Sequence, residues 1–285
     1  MKPAAFHYHA PKTIDEALAM LAEFAPHDGR VLAGGQSLVP TMAFRLARPH
    51  HLVDINGIDA LNHLGVKNGK LVIGAGIRHQ AFRSPVVDGP LGALLSSVMR
   101  HIAHYPIRTR GTFCGSIAHA DPSSEWCLVA ATLDAEMVAK SARGTRVIAA
   151  RDYFQGIMAT ALEPDELLAE VHLPLLSTAT RFGFYEFNRR AGDFAMGMAA
   201  VTYETSNGAI AAPRVGVGGA ESRPRRIAAA EALLAGRPPG APAFNAAADA
   251  AAAAIDPLTD AQTDAEYRRD LVATVTRRAL EQAAG

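Results

Sequence analysis

The sequence predicts an α+β protein: two α/β units followed by a C-terminal region of strands and helices. Three observations carry this reading. Helix-type and strand-type patterns alternate as far as Pro174; glycine-bearing turns follow strand-like or helical runs at Gly34-Gly35 and Gly111 to Gly115; and beyond Pro174 three strand-like runs precede two helical ones. At 285 residues, 49% hydrophobic and 20% charged, the chain is long enough to bury a sizeable core.

Thr13-Ile14-Asp15-Glu16 has capping-box spacing, and Ile14, Ala17, Leu18 and Leu21 recur at helical intervals, so a helix starts at Thr13. Arg30 to Ala33 is a short strand that delivers Gly34-Gly35 at its carboxyl end. Pro40 to Leu46 resumes as a helix, His51 to Ile55 as a strand, and Asn56-Gly57 as a turn. Lys67-Asn68-Gly69-Lys70 followed by Leu71 to Gly74 reads as a hairpin with Asn-Gly at its turn, opening the second unit. Leu91 to Ile102 suits a helix; Leu128 to Val138 and Arg146 to Ala149 suit strands; Asp152-Tyr153-Phe154 begins a helical turn; Glu166 to Leu173 closes the unit as a strand. Beyond it, Arg181 to Arg190, Ala195 to Glu204 and Ile210 to Gly218 are strand-like, and Arg226 to Leu234 and Ala243 to Ile255 helical. The run Ala246 to Ala254 is a close-packed helix, because alanine is the best helix former.

Lysine plus arginine equals aspartate plus glutamate at 28 each, so no net basic field favours nucleic acid or an anionic membrane. No apolar run is long enough for a membrane span, and the residues from Met1 to Tyr8 lack the apolar core of a signal peptide; the expected location is cytoplasmic. Cys114 and Cys127 are too few for a disulfide framework or a four-thiolate iron–sulfur site.

Two segments carry the chemistry: Leu32-Ala33-Gly34-Gly35-Gln36-Ser37-Leu38, and Arg110-Gly111-Thr112-Phe113-Cys114-Gly115-Ser116-Ile117-Ala118-His119-Ala120-Asp121-Pro122. Small residues let the backbone turn tightly and present N–H groups to an anion, with hydroxyls at Ser37, Thr112 and Ser116 beside them. A pyrophosphate, and with it a dinucleotide, is the natural guest. Gly-Gly alone is ordinary turn chemistry; the two segments together favour a ligand site. Gly74-Ala75-Gly76 lacks the third glycine of a Rossmann fingerprint and reads as a strand end, as does Gly216 to Gly219. His101, His104 and His119 lack metal-ligand spacing, and no metal is assigned. No Gly-x-Ser-x-Gly elbow occurs, Cys114 has no identifiable base, and Asp121 with Glu125 suits hydrogen bonding to a polyol better than a catalytic dyad.

These two segments resemble the FAD-binding medium subunit of the molybdenum hydroxylases, the carbon monoxide dehydrogenase and xanthine dehydrogenase family. The likeness continues through Asn188-Arg189-Arg190-Ala191-Gly192-Asp193-Phe194-Ala195 and the alanine-rich C-terminal region, covering nearly the whole chain. It implies a vanillyl-alcohol-oxidase (PCMH)-type FAD-binding domain, with subdomains over 1–56 and 57–175, and a C-terminal domain over 176–285 with a three-stranded sheet and helices. By position, Leu32, Ala33, Gly34, Gly35, Gln36, Ser37 and Leu38 line the diphosphate, and Gly111, Thr112, Gly115, Ser116, His119 and Ala120 form the second loop. Ser124 and Glu125 match positions near the cofactor's polar chain. Ile102, Ala103 and Ile107 match an apolar wall, and Leu168 and Tyr185 fall where the family places residues beside the flavin or its adenine end.

Two departures stand out. Cys114 occupies the first of two glycines usual in the family's second motif, at a cost in backbone freedom if the position needs positive φ, with Ser116 where asparagine or aspartate is common. Gln36 replaces a histidine of the carbon monoxide enzymes, which argues for another substrate. The resemblance further implies a heterotrimer, paired as a dimer of heterotrimers. A large subunit hydroxylates substrate at a molybdopterin centre, a small subunit carries two [2Fe–2S] clusters, and this chain passes electrons through FAD to an external acceptor. No side chain of this chain is assigned a catalytic role. Aromatic N-heterocycles, aldehydes and carbon monoxide stand as substrates of the assembly. A stand-alone flavin oxidoreductase and an FAD-free scaffold subunit are the alternatives.

Overall fold

The computed structural model describes residues 2–261 and 263–285. The first unit runs β1 (His7–His9), α1 (Ile14–Phe24), β2 (Gly29–Leu32), α2 (Leu38–Ala43) and β3 (His51–Asp54), its strands forming a parallel sheet in the order β1-β3-β2. Thr13 Oγ1 accepts the Glu16 N–H at 3.2 Å, while the Glu16 carboxylate accepts from the N–H of Lys12 at 2.7 Å, one residue outside an ideal capping box. Ala17, Leu18 and Leu21 are the face that α1 buries. Because β2 and β3 are parallel, their carboxyl ends open onto one edge, the usual place for ligands in α/β sheets.

The second unit contains β4 (Leu64–Lys67), β5 (Lys70–Gly74), α3 (Pro90–Met99), α4 (Tyr105–Arg108), α5 (Phe113–His119), α6 (Glu125–Thr132), β6 (Glu136–Ser141), β7 (Gly144–Ala149), α7 (Ala150–Tyr153), β8 (Phe154–Gly156), β9 (Ala159–Thr160) and β10 (Leu167–Pro174). Its main sheet is antiparallel in the order β4-β5-β10-β6-β7, with β8 and β9 a small ribbon. Asn68 and Gly69, at φ 51° and 72°, make the expected primed hairpin turn. One expectation is corrected: Leu128 to Thr132 is helix, and strand begins only at Glu136. Trp126 through Thr132 is buried on every side of α6, and a continuous apolar run has no period to separate helix from strand. Likewise Phe154 starts a strand instead of extending the α7 turn.

The third unit contains β11 (Arg181–Phe187), β12 (Gly197–Ser206), β13 (Ala209–Gly218), β14 (Arg225–Arg226), α8 (Ala228–Leu234), α9 (Ala241–Ala254) and α10 (Ala265–Ala284). The three anticipated strands gain a two-residue fourth at the edge of an antiparallel sheet ordered β11-β12-β13-β14. Asp264 caps α10, accepting the Tyr267 N–H at 2.8 Å, and Leu271, Val272, Val275, Ala279, Leu280 and Ala283 are its buried face. Residues alternate along β12: Met198 and Ala200 join the core of the second unit, whereas Ala199, Val201 and Tyr203 join a separate core beneath α9 and α10. Among the described residues no helix is long and apolar enough to cross a membrane.

Candidate functional site

The two glycine segments meet. The first leaves β2 at Leu32, turns at Gly35 with φ +70°, and is closed by Gln36 Nε2 donating to the Gly34 carbonyl at 3.0 Å and by the Val39 N–H donating to Gly35 O at 3.0 Å. The second begins where the Gly111 N–H donates to Ile107 O at 2.8 Å. Thr112 then caps α5, its Oγ1 accepting the Gly115 N–H at 3.0 Å, while the Ser116 N–H reaches Thr112 O at 3.1 Å. The chain leaving β5 holds this loop from behind: the His79 N–H donates to Gly111 O and the Phe113 N–H to Ile77 O, both at 3.0 Å. A Cβ on Gly34 would lie 2.4 Å from Arg110 O and 2.5 Å from Gly111 Cα, so the loops touch backbone to backbone. Neither Leu32 to Leu38 nor Arg110 to Ser116 contains a carboxylate, and Arg110 adds a cation, which suits an anionic guest. Thr112→Val removes the cap and is expected to cost about 1 kcal/mol of stability, read from a urea melt.

Cys114 sits in the first turn of α5 without positive φ, so the departure from glycine there carries no backbone strain. Its side chain is buried, with Sγ 3.5 Å from Ile73 O, and burial raises its pKa well above the usual thiol range. Both cysteines are inert at neutral pH: burial also pushes Cys127 up to about 12.

Behind the second loop, the Trp126 Nε1–H donates to His79 Nδ1 at 3.0 Å. An indole nitrogen only donates, so Nδ1 is the acceptor and any proton lies on Nε2, the atom facing Gly111. Burial, with Arg78 and Arg108 nearby, lowers the His79 pKa to about 4 and keeps the ring neutral.

On the side toward the third unit, Glu125 opens α6 and burial pushes its pKa up to about 8, with Glu186 and Asp121 adding to the rise. The carboxyl is therefore protonated at neutral pH and can donate a hydrogen bond. Glu186 Oε1 accepts from Asn188 Nδ2 at 2.9 Å and lies 3.4 Å from His101 Nδ1, while its Oε2 is buried without a partner among the described residues. A neutral donor beside an orphan acceptor suits a hydroxylated chain. Because the folded pKa of Glu125 exceeds its ordinary 4.5, the folded state holds this proton more tightly, and stability is lost as pH rises from about 4.5 through about 8. Glu125→Gln is expected to remove that part of the pH slope in denaturant midpoints.

Of the other anticipated residues, Ile102 is buried and Ala103 adopts φ +39° just before α4. Ile107 buttresses Gly111 through its carbonyl, His119 closes the last turn of α5, and Ala120 ends it at φ +52°. Ser124 is buried at the start of α6. Leu168 lies 3% exposed on β10, the strand on which α5 packs, within the core. Tyr185 is not brought to the loops. Strand alternation sends Glu186 toward His101 and Tyr185 to the opposite face, where its hydroxyl accepts from Arg278 of α10 and the guanidinium carbon lies 4.9 Å from its ring centroid. Residues 188–195 approach the start of α4, since a Cβ on Gly192 would lie 2.4 Å from His104 Cε1; Phe194 beyond it is 73% exposed. His79, Trp126 and Glu186 carry no sequence signal as site residues, because strand pairing and helix packing alone bring them into place.

Residues 4–176 match the family described as the FAD-binding domain in molybdopterin dehydrogenase, and residues 182–283 the C-terminal domain of the carbon monoxide dehydrogenase flavoprotein. The chain is 38% identical to caffeine dehydrogenase subunit beta of Pseudomonas sp. (strain CBB1), across 100% of this chain and 96% of that one. It is 36% identical to the nicotine 6-hydroxylase medium subunit of Paenarthrobacter nicotinovorans, across 99% of both. Among solved structures it superposes on a chain of carbon monoxide dehydrogenase from Hydrogenophaga pseudoflava with TM-score 0.95 and 35% identity, across 100% of this chain and 99% of that one.

Proposed function

This chain belongs to the FAD-binding medium subunits of the molybdenum hydroxylases, and we propose on that premise that it relays electrons from a partner's [2Fe–2S] clusters to an external acceptor. It is an oxidoreductase subunit whose FAD is its own, whereas the molybdopterin and iron–sulfur centres of such complexes are on the other subunits. FAD, when bound, supplies the junction between one-electron clusters and two-electron acceptors. The observation that carries the reading is the direct contact of two carboxylate-free glycine loops at Gly34 and Gly111.

In this reading the backbone from Leu32 to Leu38 and from Gly111 to Ser116 holds the pyrophosphate. Glu125, neutral, donates to a hydroxyl of the polyol chain, and Glu186 Oε2 accepts from one. Ile102 and Ile107 supply apolar surface, and no side chain acts as an obligatory acid or base. The expected assembly is a heterotrimer with a small iron–sulfur and a large molybdopterin subunit, paired as a dimer of heterotrimers.

For the substrate of the whole complex we favour an aromatic N-heterocycle. Relatives named for caffeine and nicotine match over essentially the full chain, and the family resemblance sets Gln36 where the carbon monoxide enzymes carry histidine. A carbon monoxide dehydrogenase medium subunit is the second reading, supported by the TM-score of 0.95. The purified chain is expected to be yellow, with one FAD released per chain on denaturation. A folded, colourless chain that takes up no added FAD would sink the proposal and favour a scaffold role. Reduction of the intact complex by an N-heterocycle but not by carbon monoxide, followed by flavin bleaching, separates the two substrate readings.

A further inference from the structure

The first glycine loop leaves the parallel sheet and the second lies between α4 and α5 in the unit of the five-stranded antiparallel sheet, and among the described residues no strand pairing joins those sheets. Backbone ladders therefore do not set the spacing between the loops. A side-chain relay ties them together beside the backbone contact at Gly34 and Gly111. Asp54, at the end of β3, accepts from the Tyr8 hydroxyl at 2.5 Å and from the Asn56 N–H at 2.8 Å. Asn56 Nδ2 donates to Ala33 O in the first loop at 2.7 Å, and Asn56 Oδ1 accepts from Arg78 Nη2 at 2.5 Å. Arg78 Nη1 then donates to Arg110 O at the start of the second loop, and the Arg78 backbone bridges to Thr112.

We propose that Asn56 and Arg78 are positioning residues that fix the separation of the two loops and thereby the affinity for FAD; the inference rests on the FAD-binding reading given above. The chemistry of each residue matches the task. An amide side chain is both donor and acceptor, so Asn56 holds a carbonyl with one end and a guanidinium with the other. The planar fork of Arg78 reaches Asn56 and Arg110 O through two nitrogens held in a fixed geometry, which a single ammonium nitrogen on a flexible stem lacks.

Arg78 and Asp54 are part-buried, and the exposure of the rest of the relay argues against a purely structural role. Asn56 is exposed and Tyr8 is 57% exposed, and hydrogen bonds that compete with water add little to global stability. Their geometric effect survives, because a small displacement of Ala33 against Arg110 changes the spacing of every amide that faces the pyrophosphate. Asn56→Asp is nearly isosteric but loses the donor to Ala33 O and sets a second carboxylate beside Asp54. Arg78→Gln shortens the reach to Arg110 O.

The test is titration of the full chain, stripped of flavin, with FAD followed by fluorescence quenching, beside thermal melts of the same proteins. Asn56→Asp and Arg78→Gln are expected to raise the dissociation constant about tenfold or more with melting temperature changed by no more than about 2 °C. Arg78→Lys, keeping the charge but with a single donor nitrogen in place of the two-nitrogen fork, is expected to fall between Arg78→Gln and the unmodified chain. Unchanged affinity in both variants, or weakened binding that tracks an equal loss of thermal stability, overturns the inference. An unmodified chain that takes up no FAD overturns the FAD-binding reading itself, so the two failures are distinguishable.

Discussion

Gly34→Ala is expected to weaken FAD binding by about a hundredfold, near 2.8 kcal/mol, while the protein stays folded. The added methyl would stand 2.4 Å from Arg110 O, 2.5 Å from Gly111 Cα and 2.9 Å from Arg110 C. All three are backbone atoms, so no side-chain rotation relieves the clash, and the loops must part by about 1 Å to restore ordinary contact. That movement falls on the surface where, in the proposed reading, both loops face the pyrophosphate. The fold survives because residues 33–38 are only partly buried and the cores lie elsewhere. The measurement is flavin content after purification with circular dichroism as the folding control. A Gly34→Ala chain that keeps full flavin would show that the contact between the loops has no part in binding.

Gly183→Ala is expected to produce the largest loss of stability. A Cβ there would lie 1.8 Å from the Ala279 carbonyl oxygen and 2.8 Å from its carbon, so α10 sits directly on the backbone of β11. Relief requires lifting α10, whose Val272, Val275, Ala279 and Leu280 fill the third unit's core. Overpacking against backbone belongs at the upper end of the usual range, about 3 kcal/mol, or roughly 5–10 °C in the melting midpoint. Thermal unfolding of the single variant checks this, and a shift of less than about 2 °C would contradict the close helix-on-strand contact.

Gly183 also shows where sequence reasoning stopped. The strand around it was legible from its alternating pattern, but the contact that demands a glycine comes from α10, nearly a hundred residues onward and without an anticipated helix. The signals for that helix were present in Asp264 and in the spacing of Leu271, Val275 and Ala279, yet its many charged residues dilute them. The first unit was legible almost element by element, because Thr13, the glycine turn after Leu32 and the Asn56-Gly57 turn are local devices. In α6 the reading failed at Leu128 to Thr132, since a segment buried on all sides has no amphipathic period.

The candidate site divides along the same line. Its loops are contiguous motifs, and their composition taken together marks them as a candidate anion site. Asn56, Arg78, His79, Trp126 and Glu186 come together only after two sheets and a helix are assembled. Tyr185 was expected beside the cofactor; on β11 it lies against Arg278 of α10, on the face opposite Glu186 and His101.

The burial of Trp126 to Thr132 in α6 bears on how the protein comes apart. The segment before it donates from Ser123 Oγ to Ala195 O at 2.8 Å and accepts the Gly219 N–H at Pro122 O, also at 2.8 Å; just after it, Asp134 pairs with Arg226 at 2.6 Å. Phe184, Ala195, Met198 and Ala200, all from the third unit, complete the core of the second. Matches to two sequence families at 4–176 and 182–283 therefore do not mark two independently folding pieces. Cutting the chain near residue 178 would leave α6 facing water along one side and the β12 sheet without its cover. The expected behaviour is a single cooperative unfolding transition, with a protease that nicks the 175–180 linker leaving both fragments associated until the whole protein melts.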